Sequence, residues 1–105
     1  MTTYHDFGAG PVLAHQHSNG GGWVADTATV ADTAYIGSDA KVSGSARVFG
    51  GARVSGSAKV YDDAQVFGDA QVFVDAWVSG GAWVSGSARV FGGARVSGSA
   101  PVFGR

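Results

Sequence analysis

Residues 40–60 read AKVSGSARVFGGARVSGSAKV: a valine returns every sixth position, and an alanine stands two positions before each valine. Alanine and valine two residues apart lie on the same side of an extended strand, whereas the residue between them faces the other side. Each hexapeptide is therefore predicted to form a short strand with one small and one branched residue facing inward. The series of branched residues has 14 members: Val24, Val30, Ile36, Val42, Val48, Val54, Val60, Val66, Val72, Val78, Val84, Val90, Val96 and Val102.

Turn residues separate these strands at the same interval. Two positions after most of the valines comes glycine or aspartate, as at Gly44, Gly50 and Asp62. These residue types tolerate the tight or left-handed backbone of a corner. A single strand of this length cannot bury its apolar side, so successive turns are expected to stack on one another as a β-solenoid.

The pattern V-x-[GD]-x-A-x resembles the bacterial transferase-type hexapeptide repeat, and the resemblance covers residues 23–105. It implies an all-β fold, namely a left-handed parallel β-helix of triangular cross-section with about four and a half coils of three hexapeptides. The left hand follows from the resemblance alone, because general chirality rules favour right-handed crossovers. Residues 1–22 lie outside the repeat and are predicted to form an N-terminal cap segment. The resemblance also implies a bacterial or phage protein.

With three hexapeptides per coil, residues 18 apart form rows on three faces. We number the faces first, second and third by their first outward residues, Trp23, Thr29 and Tyr35. Most of the aromatic residues fall on the second and third faces. An exposed aromatic patch is typical of an interaction surface. The alternative is that the rings stack between strands and only stiffen the sheet. The predicted interaction residues are Phe49, Phe67, Phe103 and Trp83 on the second face, Phe73 and Phe91 on the third, and Trp77 on the first.

The resemblance implies acyltransferase chemistry for many family members, which use a histidine on a projecting loop as general base. This chain has no histidine in residues 23–105, and no insertion interrupts the period. Residues 42–58 recur identically as residues 84–100, an offset of seven hexapeptides. Seven is not a multiple of three, so the copied side chains fall on a different face. A scaffold without enzymatic activity or cofactor is therefore predicted.

All three histidines, His5, His15 and His17, precede the repeat. The spacing of His15 and His17 allows both rings to lie on one side of an extended strand, which makes them weak candidates for a metal site. A third ligand is needed, from His5 or from a neighbouring subunit. The alternative is that they are ordinary polar residues of the cap.

The composition favours neither a nucleic-acid partner nor a membrane partner. The chain has 7 Lys and Arg against 8 Asp and Glu, and no cysteine. No apolar run approaches the length of a membrane span, and the first ten residues lack the pattern of a signal peptide, so a cytoplasmic location is expected. Charge alternates in bands along the solenoid axis, and the two ends differ in sign, which favours head-to-tail contact.

The sequence thus predicts a non-enzymatic structural or interaction module whose partner is itself, as a homo-oligomer or a head-to-tail filament. The contacts are expected at the open C-terminal coil, whose strand edges invite pairing, and at the aromatic rows. Two alternatives stay open: an acyltransferase-like enzyme that uses the N-terminal histidines, and a module that binds a protein or a sugar through its aromatic faces.

Overall fold

The computed structural model describes residues 2–6, 11–98 and 101–103 of the chain. All regular structure in these residues is β-strand, and none of them forms a helix long and apolar enough to cross a membrane. The strands are β1 (Thr2–Asp6), β2 (Pro11–Gln16), β3 (Trp23–Ala25), β4 (Thr29–Val30), β5 (Tyr35–Ile36), β6 (Lys41–Val42), β7 (Arg47–Val48), β8 (Arg53–Val54), β9 (Lys59–Val60), β10 (Gln65–Val66), β11 (Gln71–Val72), β12 (Trp77–Val78), β13 (Trp83–Ser85), β14 (Arg89–Val90), β15 (Arg95–Val96) and β16 (Pro101–Phe103).

The described strands form three sheets that wind around one axis as a β-solenoid. The first sheet has the order β1-β2-β3-β6-β9-β12-β15, the second β4-β7-β10-β13-β16, and the third β5-β8-β11-β14. From β3 onward all neighbours are parallel, and residues 18 apart are direct partners, as Val66 is with Val48 and Val84. The predicted all-β parallel β-helix with three hexapeptides per coil is confirmed.

The inside of the solenoid is built from the alanine and valine series. Val42 through Val84 of this series are fully shielded from solvent, and so are the alanines between them. Backbone hydrogen bonds link each coil to the next: Lys41 donates its N–H to the carbonyl of Ala58 at 3.0 Å, and Ser43 donates to Val60 at 2.9 Å. Because the inward side chains are this small, the three sheets lie close to one another and enclose one narrow apolar core.

From Gly44 to Gly98 the corners use a left-handed backbone two residues after each valine, as the glycine and aspartate pattern predicts, whereas Asp26 and Asp32 in the first coil do not. In the described coils this conformation occurs at Asp62 and Val74 with φ of 60° and 62°. The other corner residues with positive φ are Gly44, Gly50, Gly56, Gly68, Gly80, Gly86, Gly92 and Gly98. Val74 departs from the predicted pattern, since a β-branched residue rarely adopts positive φ.

Residues before the repeat add an antiparallel hairpin to the first sheet. β1 pairs with β2, and β2 pairs with β3 through partners such as His15 and Val24. The glycine-rich segment 19–22 is hydrogen-bonded to the first coil. Ile36 donates its N–H to the carbonyl of Asn19 at 3.0 Å, and Gly22 donates to the carbonyl of Ile36 at 2.9 Å.

Candidate interaction surface

The second face carries a stack of aromatic rings. Phe49 and Phe67 lie on adjacent coils with ring centroids 5.0 Å apart and planes only 2° from parallel. Trp83 meets Phe67 edge-on at 6.3 Å. The outer rings remain open to solvent, with Phe49 38% and Trp83 48% exposed. Phe103, predicted to extend this row, belongs to β16, but its side chain lies outside the described part of the structure.

The third face carries a second aromatic pair. Phe73 and Phe91 stack at 5.3 Å with planes 11° apart. Phe91 is the most exposed of the large apolar residues described, at 56%, and Val74 next to Phe73 is 48% exposed. The two copies of the duplicated segment therefore place their phenylalanines in different rows: Phe49 pairs with Phe67, and Phe91 pairs with Phe73. This separation follows from the offset of seven hexapeptides.

On the first face, Trp77 is held between two cations. Lys59 places its Nζ 5.1 Å from the Trp77 ring centroid, and the Arg95 guanidinium carbon lies 4.5 Å away. These cations belong to β9 and β15, the two strands that flank β12. Tyr61 adds an edge contact at 6.2 Å. Cation–π contacts of this kind stabilise the sheet itself, and Trp77 is less exposed than Phe91 and Trp83.

In the described part of the chain, few surface charges have an oppositely charged partner. Among the described residues the one side-chain ion pair joins His15 to Asp26. The exposed residues Asp75 and Arg89, which flank the Phe73 and Phe91 pair, have no such partner. They are therefore open to contact with another molecule.

The two described histidine side chains have separate roles in the cap. His15 Nδ1 lies 2.9 Å from Asp26 Oδ1, whereas the buried His17 ring places Nε2 2.9 Å from the carbonyl oxygen of Ala34. The His5 side chain lies outside the described part of the structure. In the residues that are described, no three His, Cys, Asp or Glu side chains come together as a metal site.

The His17 side chain makes a hydrogen bond that a preceding coil would otherwise make with the first coil. In the regular repeat a backbone carbonyl accepts from the N–H 17 residues earlier, as Ala58 does from Lys41. The residue 17 positions before Ala34 is His17, and its ring Nε2 makes the equivalent bond, with Asn19 Nδ2 as a second donor at 3.2 Å. The cap thus satisfies a backbone acceptor that would otherwise lack its partner.

His17→Ala is expected to lower the free energy of unfolding by about 1–3 kcal/mol, because a buried carbonyl loses its shorter hydrogen bond. Urea unfolding followed by tryptophan fluorescence measures this change. His15→Ala is the matched control: its pair with Asp26 is partly exposed, and it should cost about 1 kcal/mol or less. Equal losses in the two variants would contradict the role given to His17.

A shallow groove that the sequence does not reveal runs along the third face. It has a volume of about 680 Å³ and is lined by Asn19, Thr33, Tyr35, Arg53, Gln71 and Phe73, among others. Tyr35, Arg53 and Gln71 are direct neighbours on β5, β8 and β11. Their shared face is predictable from the 18-residue period, but the contribution of Asn19 depends on how the cap folds onto the coil.

Comparison with known proteins found no relative of this chain. No family model, no curated protein and no solved structure matched the chain.

Proposed function

We propose that this protein is a non-enzymatic structural or interaction module that self-associates through its aromatic rows and its C-terminal coil. The observation that carries the proposal is the pair of aromatic clusters on adjacent faces, each with exposed rings: Phe49 and Trp83 on the second face, Phe91 on the third. Large exposed aromatic side chains that lie together mark protein interaction sites.

The C-terminal coil supports a further contact. Ala94 is exposed and Val96 is partly exposed, whereas the corresponding residues of the preceding coils are buried. Stacking of another copy on this coil would cover both side chains and extend the sheets. A homo-oligomer made by the faces and a head-to-tail filament made by the coil are the two forms of self-association proposed.

The double variant Phe49→Ser with Phe67→Ser is expected to weaken self-association at least tenfold, because it removes both stacked rings from the second face. Sedimentation equilibrium over a concentration series measures the effect. Tyr35→Ser is the matched control, since Tyr35 is also 38% exposed but belongs to neither ring stack. An unchanged association constant in the double variant would remove the second face from the proposal.

We also propose that the chain belongs to the hexapeptide-repeat family. The six-residue period and the parallel pairing of the strands from β3 onward support this assignment. The acyltransferase-like alternative has one feature in its favour, the contact between His15 and Asp26, which is how a carboxylate orients a histidine base. Binding of an acyl-CoA that is lost in His15→Ala would favour it. Without such binding the alternative fails.

A sugar- or protein-binding module is the second alternative, and the groove on the third face favours it. Tyr35 offers a ring surface, and Arg53 and Gln71 offer planar polar groups in a concave site, the combination that fixes small polar ligands. Chemical-shift changes confined to these residues on titration with saccharides would support it.

A further inference from the structure

The groove on the third face has a cation at its centre. Arg53 lies in the middle of the groove, since its strand β8 is paired with β5 on one side and with β11 on the other. Of the described residues that line the groove, Arg53 is the only charged one. It is exposed and has no ion pair in the described part of the chain. The groove therefore favours an anionic ligand over a cationic one.

The charges next to the groove keep this positive character. Gln71 is the direct neighbour of Arg89 on β14, so a second cation stands one strand beyond the groove. On the other side lies the carboxylate of Asp69, since a Cβ placed at Gly51 would be 3.3 Å from Asp69 Oδ1. Asp69 forms no ion pair with Arg53, so the guanidinium stays available to a ligand.

The backbone around Arg53 indicates which kind of anion fits. Phosphate sites are commonly built from several free backbone N–H groups. Here the N–H groups of Arg53 and Ser55 are already bonded to carbonyls of the next coil, at 2.9 and 2.8 Å. A single guanidinium, by contrast, matches the two oxygens of one carboxylate with two parallel hydrogen bonds. The expected anionic group is therefore a carboxylate.

Two aromatic side chains, Tyr35 and Phe73, line the same groove. The Tyr35 ring lies against two glycines: a Cβ at Gly20 would be 2.9 Å from its Cε1, and a Cβ at Gly37 would be 3.6 Å from its Cε2. A ring that is held in place offers apolar surface at little entropic cost, which suits the C–H face of a sugar ring. The amide of Gln71 adds a donor and an acceptor for hydroxyl groups.

We infer that the third-face groove binds a short acidic saccharide, whose carboxylate pairs with Arg53 while a sugar ring lies on Tyr35. The volume of about 680 Å³ is within the range of small-molecule sites. The row from Tyr35 to Gln71 spans about 10 Å at the usual strand spacing, enough for two linked sugar rings. The inference rests on the saccharide-binding alternative given above, specifies its ligand, and does not depend on self-association.

Two matched ligands test the inference on the full chain. Digalacturonate and its dimethyl ester have the same rings and ring hydroxyls, but only the first carries carboxylates. Dissociation constants are obtained from the amide chemical shifts of Tyr35, Arg53 and Gln71 on titration. The acid is expected to bind about tenfold more tightly than the ester, because hydrogen bonds between charged partners are the stronger ones.

Charge variants assign this preference to one side chain. R53Q should remove it, so that acid and ester bind with constants within about twofold of each other. R47Q removes the same kind of cation from the second face, outside the groove, and should keep the preference. D69N should raise the affinity for the acid about twofold, because a like charge beside the groove is lost. Melting temperatures show that each variant is folded.

The outcomes separate this inference from the functions proposed above. Equal affinity for acid and ester in the wild type, or equal effects of R53Q and R47Q, would overturn the carboxylate assignment and leave the saccharide-binding alternative in place. If neither ligand shifts the groove residues, both are wrong. Self-association is measured separately by molar mass, so its success or failure is distinguishable from these results.

Discussion

Ile36→Ala is expected to lower the free energy of unfolding by about 2–5 kcal/mol, the range for truncating a fully buried aliphatic side chain. Ile36 is the largest of the fully buried side chains described. Its backbone is hydrogen-bonded to the cap on both sides, through Asn19 and Gly22, so the surroundings have little freedom to close the cavity. Urea unfolding monitored by tryptophan fluorescence provides the measurement.

A graded series separates packing from any general loss of structure at this site. Ile36→Val removes one methylene and should cost about 0.5–1.5 kcal/mol, whereas Val96→Ala, in the partly exposed last coil, should cost less than Ile36→Ala. A loss below about 1 kcal/mol for Ile36→Ala would be too small for a packed interior position and would contradict the description of this junction.

Gly56→Ala is expected to destabilise the protein by about 2–4 kcal/mol, because two effects add. The backbone of Gly56 has φ of +63°, and a Cβ placed there lies 2.7 Å from the Val74 nitrogen and 2.9 Å from the Val74 Cα. Since both atoms belong to the backbone of the next coil, relief of the overlap requires that coil to shift. Thermal unfolding by circular dichroism reports the change in melting temperature.

Gly92→Ala is the matched control in the same corner column. Gly92 has φ of +65°, but an added Cβ meets nothing within 4 Å, so only the cost of the left-handed backbone remains, about 1–2 kcal/mol. The difference between the two variants isolates the contact between coils. Equal destabilisation in both would mean that the coils are not in close contact at this corner.

The repeat is predictable from the sequence because its contacts are periodic. An 18-residue coil assigns Val48, Val66 and Val84 to one inward row and Phe49 and Phe67 to one outward pair, and the structure confirms both. The same arithmetic separates the two copies of the duplicated segment. In a solenoid each residue contacts chiefly the coils above and below, so one short period determines most of the fold.

The features that the sequence does not reveal depend on contacts outside this period. The pairing of β2 with β3 joins an aperiodic segment to the first coil, so no spacing rule indicates that His17 reaches the carbonyl of Ala34. Val74 occupies a corner position at which the repeat usually has glycine or aspartate. Because valine by itself favours strands, its sequence position gives no sign of a left-handed turn. Only the backbone geometry identifies it as strained.

The molar mass of the wild-type protein as a function of concentration tests the account most directly. Sedimentation equilibrium or light scattering should give a mass that rises from the 10.6 kDa of the single chain to that of a dimer or a larger assembly as concentration increases. Added salt should weaken a head-to-tail contact between the oppositely charged ends, because exposed charges are screened. A mass of one chain at every concentration and salt condition would contradict the claim that this solenoid is a self-associating module.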